Sequence, residues 1–179
     1  MDHRDILLCS EDTIKTYTNI SDNICGDYLS PAIYVAQRTK LEGILGTSLV
    51  AKLQQLVYEN KLAEYPKYKE LLDDYVTDYL CYASIAEVIP LVSFKIGNTG
   101  AARTDEEKTT NISYNEVGKL VDWYSDKADY FAMRMQMFLL DYYSDFPELS
   151  NAKISEIKSN LNSAANCQIW LGGERGKRG

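Results

Sequence analysis

The residues of this 179-residue chain that could carry chemistry are few: four cysteines, one histidine and several adjacent carboxylates. Cys9, Cys25, Cys81 and Cys167 are widely spaced, form no Cys-x-x-Cys pair and have no neighbouring histidine. Structural zinc needs clustered Cys and His ligands, so the thiols read as buried small apolar groups. His3 stands at the terminus and leaves Ser-His-Asp and Cys-His nucleophiles without a base. A four-helix di-iron centre needs Glu-x-x-His pairs, and none occurs. Gly43-Ile44-Leu45-Gly46 and Gly97-Asn98-Thr99-Gly100 are isolated glycine spacings without the lysine and preceding strand of a P-loop. Asp73-Asp74 and Glu106-Glu107 read as solvated surface. These residues predict no catalytic site, no cofactor and no metal. The 14 tyrosines, many at helical spacing, suit a core whose hydroxyls reach the rim, and they suit protein interfaces.

The elements that would position such residues are helices. At 45% hydrophobic and 25% charged residues the chain can bury one real core and stay soluble. Gly and Pro number only 10 and 4, and no long stretch alternates apolar with polar residues, which disfavours sheet. No basic start followed by an apolar run suggests a signal peptide. No apolar stretch approaches the roughly 20 residues that span a bilayer, so the expected place of synthesis is the cytoplasm.

Ser10-Glu11-Asp12-Thr13 opens a short helix through Tyr17. A second helix starts at Asp22 or Ser30 and ends at Leu45, with Leu29, Ile33, Ala36, Leu41 and Ile44 near one face. Ser30-Pro31 suits an N-cap and first helical position. Gly46 stops the chain, Thr47-Ser48 restart it, and Leu49, Leu53, Leu56 and Val57 follow. Tyr65-Pro66 opens a longer helix in which Tyr68, Leu72, Tyr75, Tyr79, Tyr82, Ala86 and Ile89 recur every three or four residues, kinked or ended at Pro90. Ser113-Tyr114-Asn115-Glu116 is a capping box. Behind it Val117, Leu120, Tyr124, Ala128, Phe131, Met135, Phe138 and Tyr142 form one stripe, and the helix extends from Tyr114 to Ser144. The expected fold is all-α, a bundle built around two long helices.

Two stretches stand apart. Residues 95–110 are polar, hold Gly97 and Gly100 and lack a helical stripe, which predicts a long inter-helix loop or a short hairpin. After Pro147 the apolar density falls, then Ile169-Trp170-Leu171 and a basic tip follow. The expected organisation is a helical bundle over 1–149 and an extended C-terminal arm over 150–179. Lys153, Lys158, Arg175, Lys177 and Arg178 against Glu156 and Glu174 leave residues 151–179 at +3, so residues 1–150 carry -10 of the chain's net -7. Affinity for duplex DNA comes mainly from neutralising phosphates, so this body is a poor duplex binder. It could face DNA without holding it, or meet a basic partner.

The order of these segments resembles a known family. A Ser/Thr-capped N-terminal helix is followed by one ending Leu41-Glu42-Gly43-Ile44-Leu45-Gly46, with Thr47-Ser48-Leu49 restarting. A long tyrosine-rich helix, a Gly-Asn-Thr-Gly loop and a long helix ending Asp141-Tyr142-Tyr143 come after it. Over residues 9–147 this is similar to the head–tail connector, or adaptor, proteins of tailed bacteriophages, of the ring-protein type found in crAss-like phages. The resemblance implies a structural virion protein made in the host cytoplasm and placed in the neck. There it would form a homo-oligomeric ring, commonly of twelve copies, below the portal protein. The ring would extend the DNA channel without sequence-specific binding, and dock other connector or tail proteins.

In that setting the arm would add to a neighbouring subunit or the portal. Ile169, Trp170 and Leu171 would plug a pocket, with Arg175, Lys177 and Arg178 at the rim. The loop residues Lys95, Asn98 and Arg103 would contact a neighbour. The competing expectation is an acidic regulatory module that mimics DNA, and a third is a small helical enzyme.

Overall fold

The computed structural model describes residues 5–18, 20, 26–97, 100–103 and 114–172, with the side chains of 94–97, 100–103, 114 and 164–172 left aside. The fold is all-α, with one short hairpin. Helix α1 (Glu11–Tyr17) is capped by Ser10, whose hydroxyl accepts the Thr13 amide hydrogen bond, as the sequence predicts. Helix α2 (Gly26–Val35) runs through a widened π segment (Ala36–Leu41) into α3 (Glu42–Leu45). Pro31 lies inside α2 and does not open it. Its ring removes only the bond toward the Asp27 carbonyl, on an exposed side that water reaches.

Gly46 turns the chain with φ +83° and ψ 148°, and α4 (Thr47–Tyr58) follows. That backbone region is essentially confined to glycine. A Cβ at Gly46 would meet nothing within 4 Å, so Gly46→Ala costs backbone strain alone, about 1–3 kcal/mol. Urea unfolding of the variant should show a lowered midpoint at an unchanged slope.

Pro66 opens a continuous helical stretch, Pro66–Ser93, made of α5 (Pro66–Leu71), a second π segment (Leu72–Val76) and α6 (Thr77–Ser93). Thr77 relieves the wider turn by donating its hydroxyl to the Leu72 carbonyl at 2.8 Å. Pro90 neither ends nor divides the helix, because it sits exposed in the last turn. Contrary to the sequence expectation, this 28-residue stretch is long and apolar enough, by length and composition, to cross a membrane, and 56% of its apolar window is buried inside the protein. Strands β1 (Phe94–Gly97) and β2 (Gly100–Arg103) then pair antiparallel, with Phe94 opposite Arg103. The polar stretch therefore begins as a hairpin, and its remainder, with the capping serine at 113, lies outside the described residues.

Helix α7 (Tyr114–Asp141) is the second long helix; a 3-10 turn (Tyr143–Asp145) ends it short of Ser144. The inner faces of the Pro66–Ser93 stretch and α7 meet through rings. Tyr75 stacks on Phe138 with centroids 4.4 Å apart, and Tyr82 stacks on Phe131 at 5.2 Å. Phe138 also touches Phe146, which is fully buried and closes the end of this core.

The segment expected as an extended arm is instead helix α8 (Asn151–Gly172). Ser150 caps it, accepting from the Lys153 amide at 3.1 Å. Ile157 is buried, and Ile154 and Leu161 pack beside it at spacings of three and four. Sparse apolar residues at helical spacing are enough to seat a helix whose other side is solvated. Lys153 adds a hydrogen bond from its ammonium to the Gly43 carbonyl.

The N-terminal segment is held by backbone recognition. Gln37 accepts the Leu8 amide at 2.8 Å and donates to the Ile6 carbonyl at 3.0 Å, while Gln54 donates to the same carbonyl at 2.8 Å. Both glutamines are buried, so these bonds satisfy groups that would otherwise be costly. Cys9 and Cys81 are buried with their sulfurs 3.9 Å apart. The contact with Cys81, and then burial, push the Cys9 thiol well above its ordinary range. Cys25 and the Cys167 side chain lie outside the description.

Candidate interaction surface

Helix α7 presents three sides. The inward side carries Tyr124, Ala128, Met135, Phe138 and Leu139, all buried. Leu120 does not belong to it, being 43% exposed, and Tyr142 at its end is 37% exposed. Leu120 instead begins an outward seam with Trp123, Tyr130 and Met137, which are 51%, 54% and 52% exposed. Residues 120, 123, 127, 130, 134 and 137 alternate steps of three and four, the spacing with which one helix offers itself to another.

The two cations within the seam are engaged with rings. The Lys127 ammonium lies 5.5 Å from the Trp123 ring centroid, and the Arg134 guanidinium lies 5.5 Å from Tyr75 and 5.8 Å from Phe131. Such contacts hold each charge beside a ring face and lay its stem along apolar surface. Arg134 also stands 3.7 Å from Asp78. Burial raises the Asp78 carboxyl above its ordinary value, opposed by Arg134.

The third side is acidic. Asp122, Asp126 and Asp129, spaced by four and three, are exposed, and among the described residues none has an ion-pair partner. Asp126, Asp129 and Tyr130 also line an open groove of about 530 Å³ between α7 and α8, with Met133, Gln136 and Leu161. Near the far end, Tyr68 donates its hydroxyl to Glu148 at 2.6 Å, and Lys67 sits 3.4 Å from the Tyr142 ring centroid. Burial, then the Glu148 contact, push the Tyr68 phenol up.

The residues expected at interfaces are distributed as follows. Ile169, Trp170 and Leu171 fall in the last turns of α8. Lys95 is on β1 and Arg103 on β2. Asn98, Arg175, Lys177 and Arg178 lie outside the described residues. The seam on α7 was missed from sequence because its 3–4 spacing interleaves with that of the core stripe, and Leu120 was assigned to the wrong one. Trp123, directly after Asp122 and four residues from both Lys119 and Lys127, was the available signal. Among the described residues no three His, Cys, Asp or Glu side chains are grouped to hold a metal ion.

The fold and its surfaces define an all-α protein with a partly uncovered long helix. The chain belongs to a family described as a family of unknown function (DUF6712), whose profile matches residues 41–160, two thirds of the chain. The match runs from the end of the first π segment into α8 and takes in both long helices. No curated protein and no solved structure matches the chain.

Proposed function

We propose that the chain is a structural subunit of a tailed-phage neck, a head–tail connector that assembles into a ring below the portal protein and works by contact. The observation that carries this reading is the seam Leu120, Trp123, Tyr130 and Met137, four large apolar side chains about half exposed in one line. A row of that kind marks an interaction surface. The order of elements supports it as well: a capped short helix, a Gly46 break, and two long helices joined through a hairpin. The -10 net charge of residues 1–150 suits a channel wall along which DNA slides without sticking.

The test is co-expression with a tailed-phage portal protein, followed by mass measurement and electron microscopy. A ring of this chain seated on the portal is the expected result. A chain that stays monomeric with the portal and instead competes with DNA for a basic enzyme would replace this reading by the DNA-mimic one. Truncation after Asn166 removes the last turns of α8 and the basic tip. Because Ile157 and Leu161 remain to anchor the helix, circular dichroism and melting should stay close to those of the full chain while ring incorporation is lost. Unfolding of the truncated chain would place the removed segment in its own core.

A further inference from the structure

Among the described residues the α7 seam is left about half exposed, and its surroundings say what would cover it. Helix α8 lies along the side of α7 that carries Met133 and Gln136, and Asp126, Asp129 and Tyr130 border the groove between the two helices. At 100° per residue the middle of the seam is roughly a third of a turn further around α7. The seam itself asks for a helix or short apolar segment, since its side chains follow the 3–4 spacing of helix-to-helix packing. The neighbouring ridge of Asp122, Asp126 and Asp129, without ion-pair partners among the described residues, asks for cations beside that apolar segment.

One segment of this chain has that composition. Ile169, Trp170 and Leu171 are followed within seven residues by Arg175, Lys177 and Arg178. We infer that the α7 seam of one copy receives the C-terminal segment of a second copy, with Trp170 against Trp123 and Tyr130, and the basic tip along the aspartate ridge. The inference rests on the ring-subunit reading for its choice of a second copy as occupant. It gives that reading a head-to-tail contact, the kind that closes rings when the rotation between subunits allows it.

The experiment measures the contact without a portal. A fluorescently labelled peptide of residues 166–179 is titrated with the full-length chain, and its polarisation is followed at low and high salt. Saturable binding that weakens as salt rises is expected, since the rim charges are solvent-exposed. Trp123→Ala combined with Tyr130→Ala should weaken binding at least about tenfold, as should Trp170→Ala in the peptide. Both α7 positions are exposed, so circular dichroism should be unchanged. A scrambled peptide of the same composition should bind no better than the variants.

No saturable binding at millimolar peptide overturns the inference, including the case in which each chain's own tail already fills the site. Binding that ignores the α7 substitutions overturns it too. Ring formation on the portal without peptide binding would leave the ring reading standing and remove this contact. Peptide binding without rings would do the reverse.

Discussion

Replacing Phe138 by alanine is expected to destabilise the chain by about 3–5 kcal/mol, the largest effect of any single truncation proposed here. Phe138 is buried and stacks on Tyr75 at 4.4 Å; it also meets Tyr142 at 5.0 Å and Phe146 at 6.0 Å. One ring thus joins the two long helices to the turn that leads into α8. Its removal would leave a cavity among three other rings, which cannot collapse without moving α6 against α7. Chemical denaturation gives the measurement, and the melting temperature should fall by many degrees. A change of less than about 1 kcal/mol would mean that the α6–α7 contact is loose and that the aromatic faces serve assembly instead of the core.

Ile157→Ala is expected to cost about 2–5 kcal/mol, within the range for buried aliphatic truncations. Ile157 is 1% exposed, and it is the buried anchor of α8. Its loss should act locally before it acts globally, because the helix holds the body elsewhere through half-buried Ile154 and Leu161 and the Lys153 contact with Gly43. Hydrogen exchange should therefore accelerate in α8 first, with α6 and the inner face of α7 still protected. Uniform loss of protection across α6, α7 and α8 would mean that α8 is part of one cooperative unit. Unchanged stability would return the segment to the status of an appended arm.

The difference between an arm and a helix shows where sequence reasoning ran out. From Ser150 to Asn166 the chain is mostly Ser, Asn and Ala, with Lys153, Glu156, Lys158 and three well-spaced apolar residues, a pattern with little intrinsic preference for burial. Ile154, Ile157 and Leu161 become a helical face only because α7 and the α3 end present a surface at the right distance. Likewise Pro31 and Pro90 read as breaks, since proline removes a hydrogen bond and crowds the preceding turn. Both are tolerated because each stands on an exposed side of its helix.

What the sequence determined by itself was the set of local decisions. Ser10 as a cap, Gly46 as a turn that other residues resist, Pro66 as a first helical residue, and the aromatic repeat from Tyr68 to Ile89 are each settled within a few residues by hydrogen bonding, sterics and periodicity. The lack of a catalytic constellation was an expectation of the same kind, drawn from the single histidine and the scattered cysteines. Tertiary structure alone decided that Leu120 leaves the inward stripe of α7 and joins a second, half-exposed one. Tyr124 and Phe131 meet Tyr82 of α6 and Phe138 meets Tyr75 of the second π segment, whereas Leu120, Trp123, Tyr130 and Met137 stay about half exposed. Periodicity picked out the inward stripe but could not show that Leu120 falls outside it, because Leu120 fits the spacing of both. Only the placement of α6 and α8 around the helix covers one side and leaves Leu120 among the half-exposed residues of the other.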